Sequence, residues 1–243
     1  MIRLILAVLF VVIFLVVSLP IQLILLIVGK FNPWAKKTIS LAIVGWAFNV
    51  VSFISGVKRT VIGEENVPKD KAVLYVGNHR SIFDIVLAYP RVPRPTGFIS
   101  KQEILKVPIL NIWMIYLDCL FLDRKDLKKG LEMILTAIDK VKNGISIFIY
   151  PEGTRNKTDQ PLGDFHKGSF KIAQRSGCPI VPVVINNSRE ILEAHFPFIR
   201  STHVVIEYGK PIMMSELSKD DQKNIDNYVK KVMEEIYLKN EKV

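Results

Sequence analysis

Residues 72–84 read AVLYVGNHRSIFD, an apolar run followed by a polar cluster, and a second apolar run continues over residues 85–89. The pattern predicts that a buried strand ends near Gly77, that the chain turns, and that a helix follows. In α/β folds reactive groups often lie at such turns, because the turn is at the surface while the strand and helix hold it still. His79 and Asp84 are therefore the residues to explain.

Two interpretations of this cluster are open. Ser81 and Asp84 have the spacing of a capping box, in which Ser81 caps the helix and Asp84 bonds back to unpaired amides. Alternatively, Asp84 holds one ring nitrogen of His79 protonated and leaves the other free as a base. Side chains five residues apart on one helix point roughly 140° apart, so this pairing requires His79 on the loop and Asp84 on the first helical turn. Both interpretations use the same backbone.

Composition bounds the class of protein. A chain of 243 residues with 49% hydrophobic content can form one sizeable domain and a membrane-associated segment. Its net charge of +10 favours a polyanionic partner, either nucleic acid, an anionic membrane surface or a phosphorylated substrate. Cys119 and Cys178 lie in apolar stretches and are predicted to be reduced and buried. The sequence has no metal-ligand spacing and no glycine-rich nucleotide loop, so we expect neither a metal nor a cofactor.

The N-terminal region is predicted to anchor the protein to a membrane. Residues 4–28 are almost unbroken apolar sequence with an interruption at Pro20, and a second apolar run covers residues 39–57. The first run reaches the roughly 20 residues that a bilayer crossing requires. The connector, residues 30–37, combines basic and aromatic residues suited to a headgroup region. We therefore predict a two-helix membrane anchor over residues 1–57.

Two arrangements of this anchor are possible. Two full crossings would place the basic connector on the opposite side of the membrane from Arg3 and Lys58, contrary to the positive-inside rule. A helical pair broken at Pro20 and dipping into one leaflet would keep these charges on one side. The charge placement favours the one-leaflet arrangement.

Residues 58–243 have the alternating pattern of an α/β domain. Strands are predicted at residues 57–62, 72–77, 97–100, 119–122, 145–150, 180–185 and 202–208. Helices are predicted at residues 127–141, at 167–175 and from 218 onward. The expected fold is an α/β sandwich with a mostly apolar central sheet flanked by helices. Pro182 predicts that its strand lies at a sheet edge or contains a bulge.

A second polar turn, residues 151–155, follows the apolar strand at 145–150. Here Gly153 allows the backbone to approach a ligand closely, Thr154 offers a hydroxyl and an amide, and Arg155 can bind a phosphate through two hydrogen bonds. The alternative is a surface turn in which the arginine pairs with Glu152.

Four short stretches resemble the signatures of the glycerolipid acyltransferases, a family that includes the 1-acyl-sn-glycerol-3-phosphate acyltransferases. Residues 78–84 resemble the first signature, with its HX4D motif, and residues 150–155 and 180–183 are similar to the third and fourth. Residues 121–124 resemble the weaker second signature. The four stand in the family's order, and the resemblance covers residues 57–208.

The sequence departs from the family pattern at three positions. The family usually has phenylalanine where Tyr150 stands, serine where Asn156 stands and glycine where Asp118 stands. These departures leave the polar signature residues intact, so they concern substrate preference more than reaction type.

The resemblance implies transfer of a fatty acyl group from acyl-CoA or acyl carrier protein to the sn-2 hydroxyl of lysophosphatidic acid. The product would be phosphatidic acid, in phospholipid biosynthesis, with the thioester as co-substrate and no other cofactor. His79 would act as general base and Asp84 would fix its tautomer, so that the hydroxyl attacks the thioester directly. Arg124 and Arg155 would hold the phosphate.

Other residues are implied in supporting roles. Glu152, Gly153 and Thr154 would shape the phosphate pocket. Further candidate substrate contacts are Asn78, Ser81 and Lys101. Backbone amides near Asn78 or Gly153 are candidates for stabilising the oxyanion.

The resemblance also implies a location. Lysophosphatidic acid and the anionic bilayer surface would be the lipid partners, at the cell membrane, with the active site on the cytoplasmic face where the soluble donor is found. Nucleic acid is not expected as a partner, because no binding motif is present. The sequence does not indicate an oligomeric state.

Several alternatives stay open. The acceptor is lysophosphatidic acid, glycerol 3-phosphate or another lysolipid. A hydrolase with Ser81 as nucleophile has the right residue types, although Ser81 is not on a G-x-S-x-G elbow. A basic, membrane-bound, non-enzymatic binding protein would explain the charge and the apolar N-terminus without any catalysis.

Overall fold

The structure is a computed structural model that describes residues 1–123 and 126–241. The helices are α1 (Ile2–Val17), α2 (Leu19–Phe31), α3 (Pro33–Ile54), α4 (Phe83–Ala88), α5 (Leu110–Tyr116), α6 (Leu127–Lys142), α7 (Lys171–Ser176), α8 (Lys219–Lys223) and α9 (Ile225–Asn240). The strands are β1 (Lys58–Ile62), β2 (Leu74–Gly77), β3 (Thr96–Lys101), β4 (Leu120–Leu122), β5 (Ser146–Ile149), β6 (Ile180–Asn186) and β7 (His203–Tyr208). Every predicted strand is present, and no strand end is shifted by more than two residues.

The seven strands form one sheet in the order β1-β7-β6-β2-β5-β3-β4. Neighbours are parallel except β6 and β7, which are antiparallel. The strands β6, β2, β5, β3 and β4 therefore run in one direction, and their carboxyl ends share one edge of the sheet. Both signature turns, residues 78–84 and 150–155, begin at this edge, after the adjacent strands β2 and β5.

Helices cover both faces of the sheet, as predicted. Successive residues of a strand point to opposite faces. Tyr75 and Phe148 accordingly join the core that includes residues of α3, α4 and α5, whereas Leu74 and Ile147 join the core that includes α6, α7 and α9. The fold is thus an α/β sandwich around a mostly apolar sheet.

The predicted edge position of Pro182 is wrong, because β6 lies between β2 and β7. The carbonyl of Pro182 accepts a hydrogen bond of 2.9 Å from the amide of Gly209, just past the end of β7. A residue's N–H and C=O point toward the same neighbouring strand. The missing N–H of Pro182 therefore faces the end of the β7 ladder, where little pairing is lost.

The first apolar run forms two helices, α1 and α2, which are bent by 49° with respect to each other. The bend lies at Ser18, because Pro20 occupies the first turn of α2, where proline is tolerated. Two residues of α5 bond to this bend. Trp113 Nε1 donates to Ser18 Oγ at 3.0 Å, and the Tyr116 hydroxyl donates to the Gln22 carbonyl at 3.0 Å.

Helix α3 contacts the α/β domain along its length. Near its start, the Lys37 ammonium lies 2.5 Å from the Asp118 carboxylate. In its middle, Gly45 comes close to the Pro90 backbone, which a Cβ at position 45 would meet at 3.5 Å. Its end leads directly into β1. Among the described residues, α3 alone is a single helix long and apolar enough to cross a membrane, and a third of its most apolar window is buried.

Candidate active site

The sheet fixes the start of the first signature turn. At Gly77 a Cβ would lie 2.7 Å from the Phe148 ring, so only glycine fits this packing. The next residue, Asn78, is fully buried. Its side-chain amide donates to the Ile185 carbonyl at 3.0 Å and accepts from the Ile185 amide at 2.8 Å. Both ends of the Asn78 side chain thus tie β2 to β6 and position the turn.

His79 and Asp84 meet as the loop-and-helix interpretation requires. His79 lies on the loop before α4 and Asp84 on its first turn, with His79 Nδ1 at 2.9 Å from Asp84 Oδ2. Because a carboxylate oxygen only accepts, Nδ1 carries the proton and Nε2 is free to accept one. The Asp84 side chain is fully buried, whereas that of His79 is 17% exposed. The base is therefore accessible and its partner is not.

Asp84 also holds the turn before its helix, although the N-cap position is Ile82 and carries no side-chain cap bond. Its Oδ2 accepts from the amides of Arg80 and Ser81, each at 2.8 Å. Ser81 Oγ accepts from the Phe83 amide at 3.0 Å. The two loop amides and the histidine ring thus share one carboxylate oxygen of Asp84.

The His79 ring is stacked on Tyr150, with centroids 4.3 Å apart and planes 21° apart. Burial raises the pKa of the Tyr150 phenol well above its usual value, so the ring is neutral. Within the described part of the chain, the Tyr150 hydroxyl has no hydrogen-bond partner. Tyr150 therefore contacts the imidazole through its aromatic face.

Glu152 links the two signature turns. One carboxylate oxygen accepts from the His79 amide at 2.8 Å, and the other accepts from the Gly163 amide at 2.9 Å. Burial raises the pKa of Glu152, while the two amide bonds oppose that rise. The predicted alternative, a pair between Glu152 and Arg155, is not formed. The Asn156 amide adds a second link by donating to the His79 carbonyl at 2.6 Å.

The rest of the second turn is open to solvent. Gly153 adopts φ 69°, the left-handed region that glycine occupies without strain, and a Cβ there would lie 3.0 Å from the His166 ring. Thr154 is exposed. The Arg155 side chain is 46% exposed and donates to Glu193 at 2.9 Å.

Glu193 is a site residue that sequence reasoning missed. Its carboxylate accepts from the Ser81 hydroxyl at 2.5 Å and from the Ile82 amide at 2.8 Å, in addition to Arg155. Ser81 and Glu193 are 112 residues apart in the chain. No local pattern marks a contact over that distance, and Glu193 belongs to none of the four signature stretches.

A cavity of about 520 Å³ adjoins these residues. Four cationic side chains and one carboxylate line it, together with apolar and amide side chains: Arg80, Ile82, Arg155, Asn156, Lys157, Arg189, Leu192, Glu193 and Phe196. The Arg80 guanidinium is held by the carbonyls of Thr158 and Gln160, at 2.8 and 3.3 Å. The excess of positive charge suits an anionic ligand.

One predicted residue that the structure describes does not join this group. Lys101 ends β3, which is separated from β2 by β5, and within the described chain no hydrogen bond or ion pair joins it to the other candidates. Arg124 lies outside the described residues. The structure thus brings together His79, Asp84, Ser81, Glu152 and Arg155.

Both cysteine thiols are buried in the part of the chain that the structure describes. Cys119 and Cys178 are free and buried, as predicted, and burial raises the pKa of both thiols. In the same residues, His, Cys, Asp and Glu side chains nowhere cluster in threes suited to a metal ion.

Comparisons with known proteins all match acyltransferases. A family model described as "Acyltransferase" matches residues 58–186. The chain is 30% identical over 181 residues to a 1-acyl-sn-glycerol-3-phosphate acyltransferase of Borreliella burgdorferi, covering 73% of this chain and 71% of that protein. It is 29% identical over 191 residues to a protein of the same name from Saccharomyces cerevisiae, covering 78% and 62% of the two chains.

A solved structure has the same fold. The crystal structure of the 1-acyl-sn-glycerophosphate (LPA) acyltransferase PlsC from Thermotoga maritima superimposes with a TM-score of 0.72 at 24% identity. The match covers 98% of this chain and 97% of that one, so it includes the N-terminal helices.

Proposed function

The chain belongs to the acyltransferase family, and we propose that it transfers a fatty acyl group from a thioester carrier to the sn-2 hydroxyl of lysophosphatidic acid. The product is phosphatidic acid. The observation that carries the proposal is the His79 and Asp84 pair, 2.9 Å apart, next to a cationic cavity. The names of the relatives support the same reaction.

The proposed chemistry is direct transfer. His79 Nε2 removes the proton of the acceptor hydroxyl as its oxygen attacks the thioester carbonyl carbon. Asp84 stabilises the imidazolium that forms. The tetrahedral intermediate then collapses, the C–S bond breaks, and the thiolate takes the proton from the imidazolium. A new C–O bond replaces the C–S bond, and no group on the protein is acylated.

The geometry does not support Ser81 as a nucleophile. Its hydroxyl donates to Glu193 and accepts from the Phe83 amide, and it makes no hydrogen bond to His79. A serine hydrolase would require that bond.

The charge of the cavity supports a phosphorylated acceptor. Arg155, Lys157 and Arg189 line it, and within the described residues the guanidinium of Arg155 uses one of its nitrogens, on Glu193. We assign the phosphate to this cavity, with Arg124 and Lys101 as further candidates. Glycerol 3-phosphate or another lysolipid would meet the same charges, and the donor is either acyl-CoA or acyl carrier protein.

The N-terminal helices support a membrane location in one leaflet. Large apolar side chains of α1 and α2 are exposed over much of both helices, as lipid contact requires. The connector does not extend away from the domain, because Lys37 pairs with Asp118 and the Lys36 ammonium lies 4.8 Å above the Tyr116 ring. A cell-membrane enzyme with its site on the cytoplasmic face fits this arrangement.

One assay series tests the function. The purified chain in detergent is given acyl-CoA or acyl carrier protein with each of three acceptors, and thiol release and lipid product are followed. We expect transfer to lysophosphatidic acid that is lost in His79→Ala. Absence of transfer with every pair would refute the proposal. A stable acyl adduct found by intact mass after incubation with donor alone would refute the direct mechanism.

A further inference from the structure

We infer that the carboxylate of Glu193 occupies the position that the acceptor's phosphate takes, and that it leaves this position when the acceptor binds. The inference rests on the function proposed above. It concerns one three-donor site, made of the Ser81 hydroxyl, the Ile82 amide and the Arg155 guanidinium.

The three-donor site is built for an anion. Its donors converge on one carboxylate at 2.5, 2.8 and 2.9 Å. The Ile82 amide and Arg155 share Oε1 of Glu193, while Ser81 donates to Oε2. A hydroxyl, an amide and a guanidinium are donors that a phosphate group also accepts from, through its several oxygens. A carboxylate is the nearest equivalent that a protein side chain can supply.

The position of the site relative to the base is right for the acceptor. Ser81 and Ile82 follow His79 closely, and Asp84 Oδ2 binds both the Ser81 amide and the His79 ring. Arg155 lies on the turn that Glu152 ties to the His79 amide. In lysophosphatidic acid the phosphate and the reacting hydroxyl are on neighbouring carbons, so both must bind close together. The three-donor site meets that condition.

Glu193 is also placed so that it can leave. It begins a short 3-10 helix, Glu193–His195, and exposed side chains follow it, with Phe196 73% and Phe198 50% accessible. The adjoining cavity offers Lys157 and Arg189, neither of which forms an ion pair within the described chain. A phosphate bound beside an unmoved Glu193 would suffer like-charge repulsion. Exchange of the two anions removes that repulsion and leaves every donor paired.

The decisive variant is Glu193→Gln. Its amide oxygen can still accept from Ile82 and Arg155, and its NH₂ can donate to the Ser81 hydroxyl, so the geometry is kept while the charge is removed. We expect inorganic phosphate and glycerol 3-phosphate to bind roughly tenfold more tightly, because no competing anion remains. The KM for lysophosphatidic acid should fall in parallel. Glu193→Ala should show the same direction of change and replaces the first variant if that one does not fold.

A matched control is available on the same loop. Glu190 pairs with His195 at 3.1 Å and does not reach the three-donor site, so Glu190→Gln should leave phosphate affinity unchanged. In the Glu193→Gln background, Ser81→Ala and Arg155→Ala should each weaken phosphate binding at least about fivefold. Unaltered binding in both would place the phosphate elsewhere and overturn the inference.

Binding is measured by calorimetry and by the shift in thermal midpoint, so the result does not depend on acyl transfer. If Glu193→Gln binds phosphate no more tightly than the wild type, Glu193 only positions Arg155 and the inference is wrong. If binding tightens but no acceptor is acylated, the anion site stands and the proposed function fails. The two failures are therefore distinguishable.

Discussion

At the scale of single residues, the charge of the Asp84 carboxylate can be removed by substitution while its hydrogen bonds are kept. All hydrogen bonds of its carboxylate, to His79, Arg80 and Ser81, are made by Oδ2, while Oδ1 has no partner in the described chain. Asp84→Asn can keep these bonds by placing its amide oxygen at the Oδ2 position. Because the neutral amide no longer stabilises the imidazolium, we predict that kcat falls by roughly 10² to 10⁴, whereas unfolding free energy falls by no more than about 2 kcal/mol. Thiol release and thermal unfolding measure the two quantities.

Tyr150→Phe is the matched control for that variant. It keeps the ring that stacks on His79 and removes a buried hydroxyl without a partner in the described residues. Activity should stay within about threefold of wild type and stability should be unchanged or higher by up to about 1 kcal/mol. Near-normal turnover in Asp84→Asn, or a large loss in Tyr150→Phe, would contradict this account of the base.

The two cysteines give a prediction about pH. Burial raises the pKa of the Cys119 thiol from 9.0 to about 11, and that of Cys178 is also raised. In the native protein at pH 8 neither thiol should be alkylated by iodoacetamide, and activity should survive the reagent. Between pH 9 and 11 the unfolded chain ionises Cys119 before the native one does, so stability should fall with rising pH. Mass spectrometry with and without denaturant measures alkylation, and denaturant titration at each pH measures stability. Rapid alkylation of either thiol in the native protein would refute the prediction that both are shielded.

At the scale of elements, Asp118 joins α3 to α6. It adopts φ 58°, a conformation that aspartate tolerates better than most residues, and its carboxylate pairs with Lys37 and Lys140 at 2.5 Å each. Asp118→Asn keeps the backbone preference but removes both ion pairs, which are largely shielded from water. We predict a loss of about 1–3 kcal/mol in unfolding free energy, measured by denaturant titration.

The exposed pair of Lys230 and Asp164 provides the comparison for Asp118. The Asp164 side chain is fully exposed, so Asp164→Asn should change stability by less than about 0.5 kcal/mol. Equal effects of the two substitutions would show that the Asp118 contacts do not hold the elements together.

The elements differ in how far sequence could predict them. The strand, turn and helix around residues 78–84 were predictable because apolar runs and capping residues are local signals. The predicted edge position of Pro182 was wrong because its missing N–H faces the end of the β7 ladder, where a proline is tolerated inside a sheet. The order of strands in a sheet also depends on segments that are distant in the chain. Glu193 was not predictable for a related reason, since its partners Ser81 and Arg155 lie 112 and 38 residues away.

At the scale of the whole molecule, the N-terminal helices and the α/β domain share one core, which includes Leu25, Val44 and Val51 beside Tyr75 and Phe148. The sequence predicts a membrane anchor over residues 1–57 and favours the one-leaflet arrangement from charge alone. It did not predict that the connector would contact the domain, because Asp118 and Tyr116 are remote from it in the chain.

The arrangement leads to a topological prediction. In sealed vesicles carrying the protein, single cysteines placed in the connector at residues 30–37 should react with an impermeant maleimide only from the side that holds the α/β domain. A cysteine at exposed Lys219 is the control for that side. Labelling of the connector from the opposite side would refute the one-leaflet arrangement.

The contacts along α3 have a kinetic consequence. Helix α3 is fixed to the α/β domain from Lys37 to its junction with β1. With the proposed membrane location, His79 would therefore stay at one height above the lipid and could not be lowered on a flexible tether. An enzyme held in this way finds its acceptor by a two-dimensional search. Its rate should follow the mole fraction of acceptor in the bilayer, so that added inert phospholipid slows turnover at constant bulk acceptor concentration.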